Sequence, residues 1–190
     1  PNANASVRSI IATSTQLFVG GQFTTIGGAL RNRLAQVNAT TGAAVAGWDP
    51  NANGTVLAMG VDEVSGTLYV GGQFTFAGGI TRNRVAAFET ATGVVTDFNT
   101  GANNSVFAIA VTPTAVYLGG QFTVLGVAAR NRIAAVDPAT GTPTFWNPNA
   151  NNIVQSLAVS GNTVYAGGDF LTMGVANRSR VAAIDAFSGT

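Results

Sequence analysis

Val116-Tyr117-Leu118-Gly119-Gly120-Gln121-Phe122-Thr123 is one of four near-copies of the same octapeptide in this 190-residue chain. The others are Leu17-Phe18-Val19-Gly20-Gly21-Gln22-Phe23-Thr24, Leu68-Tyr69-Val70-Gly71-Gly72-Gln73-Phe74-Thr75 and Val164-Tyr165-Ala166-Gly167-Gly168-Asp169-Phe170-Leu171. Aligned on the first glycine of each pair, the copies lie 51, 48 and 48 residues apart. Eleven residues after that glycine comes Arg31-Asn32-Arg33, Arg82-Asn83-Arg84, Arg130-Asn131-Arg132 or Arg178-Ser179-Arg180. Twenty-two residues after it comes a further glycine, at Gly42, Gly93, Gly141 and Gly189. Length varies elsewhere, as around Asp62-Glu63-Val64-Ser65-Gly66, where the second copy carries two extra residues. Fixed offsets with insertions confined to turns mark a repeat architecture.

Each repeat reads as four short strands. In the third these are Ser105–Val111, the anchor stretch, Asn131–Asp137 and Pro143–Asn147, separated by Gly, Pro and Asn punctuation. No segment sustains a 3.6-residue apolar period, so no helix is expected. The third strand is apolar on both faces, with Ile133 and Ala135 on one and Ala134 and Val136 on the other. A sheet buried on both faces needs a neighbour on each, which radial stacking of similar sheets provides. The expected fold is an all-β propeller of four-stranded antiparallel blades in one region, 1–190, with repeats at about 1–49, 50–99, 100–147 and 148–190. The last repeat is incomplete, because the Trp48, Phe98 and Trp146 position has no fourth member. An arc of a larger propeller is therefore favoured over a closed four-blade ring. The opening Pro1-Asn2-Ala3-Asn4 matches a mid-repeat position, which fits an excised piece of a longer chain.

Composition narrows the function classes. Only 9% of residues are charged and net charge is +1, so no basic field draws nucleic acid or anionic lipid. There is no Lys, no Cys and no His. That removes the usual nucleophile–base pairs, disulfides and the commonest metal ligand. No apolar run is long enough for a helical membrane span. The uncharged polar surface suits a secreted or cell-surface setting.

The combination of double-Gly-x-Phe, Arg-Asn-Arg-(Leu/Val/Ile)-Ala, Asp-x-x-Thr-Gly and Trp/Phe-Asn-Pro resembles the delta-60 type β-propeller repeats of bacterial secreted and surface proteins. The resemblance covers the whole chain. It implies an extracytoplasmic, non-catalytic propeller, commonly one module of a larger polypeptide, and it carries no catalytic residues across. Kelch repeats share the double glycine and a later aromatic but not the Arg-x-Arg motif. The quinoprotein pattern is matched by Ala135, Asp137 and Gly141, but Trp146 falls one residue late and Trp48 later still. A docking role for that tryptophan is thus not expected, and no cofactor is called for.

The candidate contact residues are the arginine pairs Arg31 and Arg33, Arg82 and Arg84, Arg130 and Arg132, Arg178 and Arg180. Two apart on a strand, each pair would point to one face, forming a ring of positive charge for an acidic glycan or a partner carboxylate. The competing and favoured reading is that they bond backbone carbonyls or acids between blades, since the motif occurs in every repeat. The double glycines Gly20-Gly21, Gly71-Gly72, Gly119-Gly120 and Gly167-Gly168 are expected to permit close blade contact. Asp137 and Asp185 read as turn residues, Asp62-Glu63 as a solvated turn, and the Asn-rich links as satisfying loose backbone groups. Asn4, Asn38, Asn53, Asn103 and Asn177 fit the N-glycosylation pattern. No catalytic or metal residue is assigned. The reading is a scaffold or adhesive surface. Its expected partners are other domains of a larger polypeptide or surface assembly, glycans, or further copies of itself through exposed blade edges. The alternatives are an arc of a quinoprotein-like or Kelch-like enzyme with catalytic groups elsewhere, and a lectin-like propeller.

Overall fold

The computed structural model describes residues 2–190; Pro1, the first residue of the mid-repeat opening, lies outside them. The described residues form strands and turns with no helix. Unit one holds β1 (Val7–Ala12), β2 (Leu17–Gly21), β3 (Thr25–Ile26), β4 (Ala29–Leu30) and β5 (Leu34–Val37). Unit two holds β6 (Val56–Asp62), β7 (Thr67–Gly72), β8 (Phe76–Ala77), β9 (Ile80–Thr81) and β10 (Val85–Glu89). Unit three holds β11 (Val106–Thr112), β12 (Ala115–Gly120), β13 (Val124–Leu125), β14 (Ala128–Ala129) and β15 (Ile133–Val136). Unit four holds β16 (Val154–Ser160), β17 (Thr163–Gly168), β18 (Thr172–Met173), β19 (Ala176–Asn177) and β20 (Val181–Asp185).

Every unit repeats one antiparallel sheet, with the anchor strand in the middle: β1-β2-β5, β6-β7-β10, β11-β12-β15 and β16-β17-β20. The expected fourth strand joins through one residue pair in the first three units: Val37 with Ala44, Phe88 with Val95, and Val136 with Pro143. Pro143 has no N–H to extend such a ladder. Between the second and third strands sits a hairpin that the sequence reading did not foresee: β3-β4, β8-β9, β13-β14 and β18-β19. Its turn is Gly27-Gly28 or Gly78-Gly79 with both residues at positive φ, a two-residue geometry that glycine adopts at no steric cost. In units three and four only the first residue, Gly126 or Gly174, has positive φ, so Val127 and Val175 fit at the second.

The apolar core lies between the sheets. One cluster joins units one and two through Phe18, Leu34, Trp48, Val56 and Met59. A second joins units two and three through Tyr69, Val85, Val106, Ile109 and Leu118. A third joins units three and four through Tyr117, Ile133, Val154 and Ile184. All of β5 and β15 is buried, as a strand covered on both faces must be.

The double glycine sets this packing, and its two members do different work. The first receives the neighbouring sheet: a Cβ on Gly71 would lie 2.8 Å from Val106 Cγ1, and one on Gly119 2.7 Å from Val154 Cγ1. The second faces its own sheet, where a Cβ on Gly72 would collide with the Thr55 carbonyl oxygen. Hydrogen bonds then fix the sheets together. Tyr69 Oη donates to the Pro138 carbonyl at 2.9 Å, and Tyr117 Oη to the Ala186 carbonyl at 3.2 Å. Unit one has Phe18 at that position, and Gln16 Nε2 instead donates to the equivalent carbonyl, Thr90 O, at 3.0 Å.

The aromatic at the fourth-strand position completes each junction. Trp48, Phe98 and Trp146 pack on the anchor aromatics Phe18, Tyr69 and Tyr117 with ring centroids 5.2, 5.1 and 5.0 Å apart. Trp146 Nε1 donates to the Asp185 carbonyl of unit four at 2.9 Å, and Trp48 lies against Gly93 of unit two. These tryptophans therefore dock on the next unit, which the late spacing of Trp146 and Trp48 after Gly141 and Gly42 had argued against; the short link bends enough to absorb the extra residues. Trp48 Nε1 is buried without a partner. Trp146→Phe is thus expected to cost about 1–2 kcal/mol more than Trp48→Phe, the worth of one satisfied hydrogen bond with its orphaned carbonyl. Denaturant midpoints of the two variants check this, and equal losses would refute it.

Candidate functional site

The Arg-Asn-Arg motif lies just before the third strand, which begins at Leu34, Val85, Ile133 or Val181. The second arginine of each pair, Arg33, Arg84, Arg132 or Arg180, has φ between 63 and 66°. That left-handed conformation is costly for a side chain with a Cβ, and the backbone on both sides holds it. Arg84 N donates to Phe74 O and Arg84 O accepts from Gly72 N, both at 2.8 Å, and the other three copies repeat the pair. The expectation that both arginines of a pair point to one face is corrected by this geometry.

The first arginines turn into their own units. Arg31 Nη1 donates to Leu30 O and Nη2 to Val45 O; Arg82 does the same to Thr81 O and Thr96 O, and Arg130 to Ala129 O and Thr144 O. Each guanidinium fork thereby ties the small hairpin to the fourth-strand segment. Arg31 is also 3.8 Å from Asp49. The second arginines differ in reach: Arg33 Nη1 donates to Ala52 O and Arg132 Nη1 to Ala150 O on the link to the next unit, whereas Arg84 Nη1 donates back to Phe74 O of its own unit. In unit four Arg178 donates only to Asn177 O, and it lines a cavity of about 320 Å³ beside the open edge of β20.

Acids and amides of the motif work in turns. Asp137 accepts from Ala139 N and Thr140 N, and Asp185 from Phe187 N and Ser188 N. Hydrogen bonding, first from the Thr140 backbone and first from the Ser188 backbone, holds these carboxyls below their ordinary value of 3.8. Asn38 caps its turn the same way, while the longer Glu89 accepts from Thr92 Oγ1. Asp62 is lowered too, chiefly by the Ser65 hydroxyl, and its neighbour Glu63 is exposed in that turn. In the links, Asn53 Oδ1 accepts from Thr75 N and Phe76 N while its Nδ2 donates to Thr75 Oγ1. Asn4 and Asn103 repeat all three bonds. The amide nitrogen of these three sequons is engaged, so glycosylation there requires the cap to open.

One constellation escaped the sequence reading. All four first strands carry a bulge at the same place, where the pairing skips Arg8, Leu57, Phe107 and Gln155. A bulge re-aims its extra side chain. These four side chains, one from each unit, converge on a single cavity of about 510 Å³, joined by Gln121 and Ile153. Gln155 Nε2 donates to Asp169 Oδ2 at 2.8 Å, Asp169 standing where the other copies have glutamine. Arg8 has no acidic partner within 4.0 Å among the described residues. The available signal was the loss of repeat identity after an invariant valine: Val7-Arg8, Val56-Leu57, Val106-Phe107, Val154-Gln155. Among the described residues no three His, Cys, Asp or Glu side chains group to hold a metal ion.

No protein-family model and no curated protein matches the chain. Among solved structures it is similar to the crystal structure of the computationally designed Ika4 protein, at 16% identity over 97% of this chain and 93% of that one, with a TM-score of 0.64. It is also similar to the crystal structure of the computationally designed Ika8 protein, at 13% identity over 98% of this chain, with a TM-score of 0.50; the chain spans 60% of Ika8. At these identities the likeness concerns the fold, a repeated antiparallel β architecture.

Two outcomes follow from this chemistry. Arg82→Lys is expected to destabilise the chain by about 2 kcal/mol, because an ammonium does not bridge both carbonyls and one is left unpaired where Arg82 is buried. Urea unfolding reads this, and an unchanged midpoint would contradict the bridging role. The lowered Asp137 and Asp185 values stabilise the folded state above the ordinary carboxylate range, and this contribution is lost as the pH falls through the folded values. Unfolding midpoints measured from neutral pH downwards should therefore decline below about pH 4, and less steeply in the double variant Asp137→Asn, Asp185→Asn, which keeps the accepting oxygens.

Proposed function

We propose that this chain is a non-catalytic, extracellular or cell-surface β-propeller module, an arc of a larger propeller. It serves as a scaffold whose axial cavity takes a carboxylate-bearing partner, in the first instance an acidic glycan. One observation carries the binding role. The four equivalent bulged positions hold Arg8, Leu57, Phe107 and Gln155, whereas the valine before each is the same in every unit. A position needed only for the fold would repeat like its neighbour. Arg8 offers a free guanidinium for a carboxylate, Leu57 and Phe107 offer apolar surface for a sugar ring, and Gln155 and Gln121 offer amides for hydroxyls.

The arc is supported by core clusters that run from unit one through to unit four in order, and the non-catalytic reading by the turn roles of Asp137 and Asp185. A lectin-like propeller with repeated equivalent pockets fits less well, because the axial side chains differ from unit to unit.

Binding to a panel of matched neutral and carboxylated oligosaccharides tests the proposal. Carboxylated members should bind and weaken with salt, and Arg8→Ala should lose about tenfold or more in affinity, the worth of a charge-assisted hydrogen bond. Equal binding of neutral and carboxylated sugars, or no effect of Arg8→Ala, would overturn it.

A further inference from the structure

Unit four departs from the repeat at two positions that touch. Its bulged residue is Gln155, where the other units have Arg8, Leu57 and Phe107, and its double glycine is followed by Asp169, where they have Gln22, Gln73 and Gln121. Gln155 Nε2 donates to Asp169 Oδ2 at 2.8 Å. The fold does not call for this bond, since the bulges at Leu57 and Phe107 keep the same register without one. An ionised carboxylate only accepts, so the amide nitrogen of Gln155 must face Asp169. Gln155 Oε1, which receives no hydrogen bond among the described residues, is then the acceptor that Gln155 offers to the cavity it lines. Asp169 itself has no basic partner within 4.0 Å among the described residues, and neither does Arg8 an acidic one. Gln22 and Gln73 are exposed at the same position in units that another unit follows, so the exposure of Asp169 belongs to the position.

We propose that the ligand of this cavity is zwitterionic: an acidic sugar that also carries a free amine. Its carboxylate pairs with Arg8, and its ammonium donates to Gln155 Oε1 in the field of Asp169. A hydroxyl could donate to the same oxygen, but an ammonium makes the stronger, charge-assisted bond and gains the attraction of the unpaired carboxylate. A ligand with a carboxylate alone meets Asp169 as a like charge. Asp169 acts here as a positioning residue, fixing which end of the Gln155 amide faces the ligand. The inference rests on the reading of Arg8 as a carboxylate site and adds the second charge to it.

Two disaccharides that differ in one group test it: glucuronic acid linked to 2-amino-2-deoxyglucose, and glucuronic acid linked to glucose. Calorimetric titration is made at a pH where the amine is protonated. The wild-type chain should prefer the amine by about fivefold, the worth of one exposed charge contact. Asp169→Asn and Asp169→Gln, the second restoring the residue of the other three units, should bring the ratio of the two affinities to about one, and Asp169→Glu should keep part of the preference. Arg8→Ala should weaken both sugars and keep their ratio. Equal binding of the two sugars by the wild type, or a preference that survives Asp169→Asn, would overturn the ammonium proposal and leave the carboxylate reading standing. Binding of neither sugar would overturn both.

Discussion

Two sheets of this protein approach as closely as the first glycine of each pair allows. Val56, Val106 and Val154 press their methyl groups onto bare backbone at Gly20, Gly71 and Gly119. Any side chain there would push the sheets apart and open the core that lies between them. Because the core lies between units, each unit depends on its neighbours for burial, as the stacked units of repeat proteins do. The remaining devices act around that contact. The anchor tyrosines and the fourth-strand aromatics close the outer part of the junction, and the turn carbonyls lock its angle.

Small departures from repetition are compensated where they occur. Phe18 lacks the hydroxyl of Tyr69 and Tyr117, and Gln16, two residues earlier, reaches the equivalent carbonyl. Glu89 is too long to cap its turn as Asp137 does, and bonds Thr92 instead. The junction thus conserves an acceptor that must be satisfied, not a particular donor. The bulged positions behave differently. Arg8, Leu57, Phe107 and Gln155 share a backbone position but not one chemistry, and among them Gln155 is matched by a change beside it, Asp169 standing where the other copies have glutamine.

The arginine motif illustrates how a repeated charge can be consumed by structure. Arg31, Arg82 and Arg130 each spend two guanidinium nitrogens on backbone carbonyls, and Arg33 and Arg132 bond the links. Few carboxylates are present to pair with them, so carbonyl oxygens take that place. A chain with 9% charged residues can in this way carry eight arginines in one motif without forming a charged surface ring.

The repeat, the all-β character, the two-sided burial of the third strand and the turn roles of Asp137 and Asp185 were legible in the sequence, because each follows from local residue type and spacing. The small hairpins, the reduction of the fourth strand to one bridge, and the opposed directions of Arg31 and Arg33 were not. The hairpins depend on positive-φ turns at Gly27-Gly28 and their equivalents, and the direction of Arg33 depends on a left-handed φ that its backbone bonds to Phe23 and Gly21 hold. Spacing likewise misjudged Trp146, because counting residues along a link does not reveal its bend. The convergence of Arg8, Leu57, Phe107 and Gln155 joins residues about fifty apart in the chain, and it exists only because four bulges face one cavity. Local chemistry fixed the unit, and the packing of units against one another decided which side chains meet.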